Sequence, residues 1–310
     1  MKKRIFAVIL SVCILLSCGL TAFAQDEESE TPCLHENAQW ELLAPATLIT
    51  DSRYVRECPD CGFKQSAKKA RTSIIETAFD FIARVFFLAD DPELREGFTV
   101  TAHTGPGEIP MNSMFSLRYS LQSGADVVEV DLAMNSDGVA VMAHGSPDEA
   151  KATLEDGFAL VAEYVGVQVN VDVKNTAAVE QAQELAIKYG ILDRIFYTGL
   201  QEGHIAYIKE HSPLVPYYLN CGFSSNDPEE YARVCDRAVS LGAIGLNLSY
   251  TGLTPELSAI AHEKGLLISA YTVNSASDMR ATLKCMPDNI TSEFPYKLYT
   301  ITGGNKNTFC

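Results

Sequence analysis

The fold class that the sequence predicts is α/β, a (β/α)8 TIM barrel, and three observations predict it. From Phe98 onward, eight short apolar runs of strand character recur. Amphipathic stretches long enough for parallel crossovers separate them. Carboxylates, imidazoles and a lysine stand at the ends of several runs, where the strands of such a barrel converge on one mouth.

Before the barrel, residues 1–24 read as a signal peptide. Lys2, Lys3 and Arg4 precede an apolar run that ends in Ala22-Phe23-Ala24 before Gln25, a small-residue cleavage pattern. Leu15-Leu16-Ser17-Cys18 offers a second reading, in which Cys18 becomes a lipid-bearing N-terminus. The protein is therefore expected to be secreted or held on the outer face of a bacterial cell. No later stretch reaches the ~20 apolar residues of a membrane span.

A composition of 47% hydrophobic and 21% charged residues describes a globular chain, and its formal charge of −16 grows three units more negative once the leader is removed. That charge argues against nucleic acid or an anionic membrane surface as the main partner. Residues 25–31 form an acidic spacer.

Residues 32–68 form a small module. Cys33-Leu-His35 and Cys58-Pro-Asp-Cys61 bracket it, with Trp40 near its start. Two close ligand pairs can close a tetrahedron around structural Zn2+. Disulfides among the three cysteines are the alternative for an exported chain. The Cys-x-His, Trp, Cys-x-x-Cys-Gly pattern resembles small modules in surface proteins of anaerobic bacteria. Four protein ligands leave no open position, so zinc there would not be catalytic. Residues 69–97 are expected to form a connecting helix, with Ile74, Ile75, Ala78, Ile82, Val85 and Phe86 at helical spacing.

The barrel is placed at 98–302 and a tail at 303–310. Its strands are read at residues 99–103, 127–131, 167–173, 195–198, 215–219, 244–248, 267–273 and 289–291. A ninth run, Val139 to His144, follows Asp131 by only a few residues. So short a connection permits a hairpin and forbids a parallel crossover. It is read as an antiparallel ribbon over the mouth, turning at Asn135-Ser-Asp-Gly138.

His103, Glu129, Asp131, Asp172, Lys174 and His144 occupy the ends of these runs. Glu129 and Asp131 are two apart in a strand and share a face. With Asp172 on the next strand they make three hard oxygen ligands, suited to one divalent cation, Mg2+ or Ca2+. A cation removes much of the cost of burying such charges.

Several motifs now fall in order: Ala102-His103, Pro110-Met-Asn-Ser113, Gly124 through Asp131, Asp137-Gly138, Val141 through His144, Asn170-Val-Asp-Val-Lys174, Tyr271-Thr-Val-Asn274 and Asp288 through Pro295. Together they resemble the glycerophosphodiester phosphodiesterase family, of the phospholipase C-like phosphodiesterase superfamily. The resemblance spans about residues 98–300. It implies a phosphodiester hydrolase of lipid metabolism acting on a small or lipid-derived phosphodiester. It also implies that His103 and His144 are the acid–base pair, that Glu129, Asp131 and Asp172 hold the metal, and that Lys174 contacts the substrate phosphate.

The chain departs from the family pattern at Thr104 where Arg is usual, at Met111 where Glu is usual, at Gly145 where Asp is usual, and at Asp172 where Glu is commoner. A small insertion usual after the second histidine is also absent. Asp172 with Lys174 looks like the related sphingomyelinase D-type toxins. A phospholipase D-like lipid phosphodiesterase or transferase is therefore one alternative function. A catalytically silent surface-binding protein is another, which retention of the histidines and carboxylates disfavours.

Overall fold

The computed structural model describes residues 33–35, 37–47, 50–70, 92–105 and 109–303. The expected signal peptide, the acidic spacer, most of the connecting helix and residues 304–310 lie outside the described residues. No described helix is long and apolar enough to cross a membrane.

The N-terminal module is a three-stranded antiparallel sheet, β1 (Glu41–Ala44), β2 (Ser52–Glu57) and β3 (Lys64–Lys69), in the order β1-β2-β3. Eight parallel strands follow: β4 (Thr99–Ala102), β5 (Val127–Met134), β7 (Gln168–Val173), β8 (Ile195–Leu200), β9 (Tyr217–Asn220), β10 (Gly245–Ser249), β11 (Leu267–Tyr271) and β12 (Asn289–Ser292), with β6 (Ala140–Met142) added antiparallel to the far end of β5. β4 pairs with both β12 and β5, so the eight close into a barrel as predicted.

Eight helices are described after β4: α1 (Met114–Gln122), α2 (Leu154–Ala162), α3 (Val179–Lys188), α4 (Ile205–His211), α5 (Pro228–Leu241), α6 (Pro255–Glu263), α7 (Ala276–Leu283) and α8 (Pro295–Ile301). Their starts are chemically marked. The Ser113, Thr153, Thr254 and Ser275 side chains each accept a hydrogen bond from a backbone N–H of the first turn, and Pro228 and Pro255 open α5 and α6.

The core lies mainly between strands and helices. Val128, Val130 and Leu132 of β5 and Val169, Val171 and Val173 of β7 are buried in one cluster with Phe158 and Leu154 of α2. Residues of the opposite parity point into the barrel, and many are polar. Thr101, Ser269 and Asn289 form one buried hydrogen-bonded group there. Thr198 donates to Asn170 Oδ1 at 2.7 Å. On β5 and β7 the main core is thus built by the outward residues, while the inner face carries the polar ones Glu129, Asp131, Asn170 and Asp172.

The β5–β6 turn falls where expected, with Gly138 at φ +74 and its N–H donating to the Asn135 carbonyl. The outer edge of β6 bonds to Ala152 and Thr153, at the start of α2. The module is tied to the barrel end where strands begin. Lys68 N donates to the Glu163 carbonyl and Val165 N donates to the Lys68 carbonyl, so β3 meets the segment leading into β7. Gln65 Nε2 donates to the carbonyls of Ala162 and Tyr189, and the buried Arg56 guanidinium donates to the Gly190 carbonyl.

Candidate active site

The β5–β7 register pairs Glu129 with Asn170 and Asp131 with Asp172. Two adjacent inward positions on each strand therefore place three carboxylates side by side at the C-terminal end of the barrel. One oxygen from each of Glu129, Asp131 and Asp172 lies within 4.8 Å of the others. Lys174, just past β7, bridges two of them, with Nζ 3.1 Å from Asp131 Oδ1 and 2.8 Å from Asp172 Oδ2.

The carboxylates are held from behind. Thr104 N donates to Glu129 Oε2 at 2.7 Å. Asn112 Nδ2 donates to Asp131 Oδ2 at 2.7 Å, and Asn112 Oδ1 accepts from Asp131 N at 3.0 Å. The Thr104 hydroxyl donates to Asn112 Oδ1 and accepts from Asn112 N. The β4–α1 loop thus folds back onto the acids through Thr104, the position where the sequence pattern called for arginine.

Burial, followed by the charges of Asp131 and Asp172, pushes Glu129 well above the usual carboxylate range. Lys174 alone is too little positive charge for three acids. Asp172 Oδ1 is buried with no hydrogen-bond partner. An all-oxygen donor set, an orphaned ligand atom and excess negative charge fit a hard divalent cation.

A cavity of about 240 Å³ opens onto this cluster, lined by His103, Glu129, Asp172 and Lys174 together with Asn170, Thr198, Asn220, Asn247 and Tyr271. Lys174 is the sole lysine or arginine among the described lining residues. His103 follows β4 directly, its N–H donating to the Ser292 carbonyl at 3.0 Å. Burial lowers its pKa against the pull of Asp131, Glu293 and Asp172, and its buried Nδ1 has no hydrogen-bond partner. Burial thus favours the uncharged imidazole beside the acids.

The structure brings His103, Glu129, Asp131, Asp172 and Lys174 together. His144 ends the ribbon beside that group, the neighbouring Ala143 N–H donating to the Asp131 carbonyl at 3.0 Å. It lies two residues beyond β6, exposed, and is not among the residues lining the cavity. Asn112, Gly199 and the amide wall were missed as site residues by sequence reasoning. Asn170, Thr198 and Asn247 did carry a signal, because they interrupt apolar strands at the inward-facing parity.

At the other end of the barrel, Cys33, His35, Cys58 and Cys61 bring one ligand atom each within 4.8 Å of the others. Cys33 Sγ is 3.7 Å from Cys58 Sγ, and Cys61 Sγ is 3.3 Å from His35 Nδ1. The first separation is far longer than the ~2.05 Å of a disulfide. Both suit the edges of a tetrahedron with ligand bonds of about 2.0–2.3 Å around zinc.

Comparison with known proteins agrees with this geometry. The profile of the Glycerophosphoryl diester phosphodiesterase family matches residues 104–153. A glycerophosphodiester phosphodiesterase of Bacillus altitudinis is 23% identical over 235 residues, which are 63% of this chain and 94% of the relative. Among solved structures, a glycerophosphodiester phosphodiesterase from Parabacteroides distasonis aligns with TM-score 0.54 and 19% identity, covering 65% of this chain and 95% of its own. An Oleispira antarctica phosphodiesterase, solved in complex with the product sn-glycerol-3-phosphate, aligns with TM-score 0.54 and 18% identity over 65% of this chain and 95% of that one.

Fold and comparisons together define a barrel-type phosphoric diester hydrolase. More narrowly, the likeness is to the glycerophosphodiester phosphodiesterase family, in the family profile and in the curated relative alike.

Proposed function

We propose that this chain is an exported, divalent-cation-dependent phosphodiesterase that releases a phosphomonoester and an alcohol from a small phosphodiester of the glycerophosphodiester kind. The observation that carries the reading is the meeting of Glu129, Asp131 and Asp172 at the barrel mouth. These three would hold one Mg2+ or Ca2+, which when bound screens the phosphate charge and polarises its oxygens.

Lys174, held between Asp131 and Asp172, would present its ammonium to a phosphate oxygen at this mouth. His103, half-buried and with its pKa lowered by desolvation, is suited to accept the proton of the attacking water as the new P–O bond forms. His144, exposed beyond β6, is the proposed donor of a proton to the departing alkoxide as the old P–O bond breaks. The amide wall of Asn170, Asn220 and Asn247 offers uncharged donors and acceptors to a hydroxylated alcohol. The glycerol phosphate bound by the Oleispira protein supports that substrate class.

We further propose that Cys33, His35, Cys58 and Cys61 hold a structural Zn2+. Export rests on the leader-like residues 1–24, and the Cys18 motif leaves a lipid tether to the cell envelope as its variant.

A panel of glycerophosphodiesters and other alkyl phosphodiesters, assayed with Mg2+, with Ca2+ and with a chelator, tests the reading. Expected is cleavage that the chelator abolishes and Asp131→Asn severely weakens while the circular dichroism spectrum stays unchanged. Full turnover in excess chelator would remove the cation from the mechanism. Loss of the acid–base group in His103→Ala should lower turnover by ~10²–10⁴.

A further inference from the structure

We infer that Gly199 is a positioning residue for the cation site: its missing side chain lets the Asp172 carboxylate lie against β8 and face Asp131. The inference rests on the cation reading above and adds to it a residue outside the acidic cluster.

Asp172 is the register partner of Thr198, the residue before Gly199. The pairing of β8 with β9 slips between Tyr197 and Leu200, so β8 carries an irregularity at this point. Bulges of this kind beside a site re-aim side chains. Gly199 sits at φ +76, in the left-handed region open to glycine at little cost. Its N–H donates to Asn220 Oδ1 at 2.9 Å, and the same oxygen accepts from Asn247 Nδ2 at 3.0 Å. The irregularity is thereby anchored to the amide wall.

A methyl group on Gly199 would overlap Asp172 Oδ1 and would come within 2.7 Å of the Val173 carbonyl oxygen and 2.9 Å of Val173 N. Asp172 Oδ1 is the buried oxygen without a hydrogen-bond partner, whereas Oδ2 is held by Lys174. The ligand atom left for a cation is therefore the one for which Gly199 makes room.

A purely local backbone role for Gly199 is the competing account, and Gly166 separates the two. Gly166 has φ +74 with nothing within 4 Å of its would-be Cβ. Gly166→Ala thus pays the same kind of backbone cost and touches nothing.

The test is calorimetric titration of the full chain with MgCl2 alone, repeated with CaCl2. Gly199→Ala should weaken cation binding by ~10–100-fold, the range for residues that orient a ligand, while Gly166→Ala should leave it unchanged. Combined with Asp172→Ala, Gly199→Ala should add little further loss, because its effect passes through Asp172. Wild-type affinity in Gly199→Ala, or a full additional loss in the Asp172→Ala background, would overturn the inference. If thermal scans show that Gly199→Ala does not fold, Asn220→Ala decides: it releases the Gly199 N–H without adding an atom. A measurable weakening supports the inference and unchanged affinity overturns it. A wild-type chain that takes up neither cation refutes the cation reading itself and the inference with it.

Discussion

Asn112 grips Asp131 at both backbone and carboxylate while sitting at φ +52, a conformation asparagine adopts more readily than most residues. Replacing it with alanine should remove bonds worth about 1–3 kcal/mol to buried groups. Replacing it with aspartate keeps the shape but sets a second charge against Asp131. In metal-free protein at pH 7, Asn112→Asp should therefore be less stable to urea than Asn112→Ala. Repulsion raises the new carboxyl's pKa in the folded state, so the penalty is present above that pKa and disappears as falling pH protonates it. The gap should close towards pH 4, and a constant gap would show that the two carboxylates do not face each other. Glu129 and Asp131 were legible as a pair because strand geometry fixes a spacing of two to one face. Asn112 was visible only as a motif letter, since its role depends on a loop turning back through a left-handed residue.

Strand parity explains which elements could be read in advance. The eight barrel strands announced themselves because most of their outward residues are valine, leucine or isoleucine, and the ribbon β6 because so few residues separate it from β5. The slip in β8 left no such trace, as Gly199 in Tyr-Thr-Gly-Leu looks like the end of a strand. The docking of β2 and β3 was hidden for a different reason. Arg56, Gln65 and Lys68 look like a solvated face in sequence, yet they reach carbonyl groups or charges on the barrel. Arg56 is 4% exposed, lies 4.8 Å over the Trp40 ring and pairs with Asp193 at 3.6 Å. Arg56→Ala should cost about 2 kcal/mol, since it leaves the Gly190 carbonyl without its charged donor. Stripping metal from the proposed zinc site should act on the same joint, because His35 stacks on Phe63 at 4.3 Å and the Phe63 ring lies against Gly190. Denaturation curves with and without chelator check both. Stability unmoved by either change would show that the module carries no load for the barrel.

At the scale of the whole molecule, the module and the catalytic mouth occupy opposite ends of the barrel. Deleting residues 1–70 should therefore leave turnover at 25 °C close to that of the full chain. It should also uncover Glu163, Val165 and Gly190 and lower the melting temperature by about 4 °C or more, the shift that ~2 kcal/mol produces in a domain of this size. Loss of turnover at temperatures where the shortened barrel remains folded would show that the module reaches the site after all.

The closing seam has a consequence for how the chain is made. Thr101 and Asn289, 188 residues apart, share two buried hydrogen bonds where β4 meets β12. As the chain folds, β4 therefore waits beside β5 with one edge unpaired until β12 is in place, and the growing sheet carries a second open edge on its newest strand. Contacts this distant fold slowly, and open edges invite pairing with other chains. The last strand is thus also the one that ends the chain's exposure to aggregation.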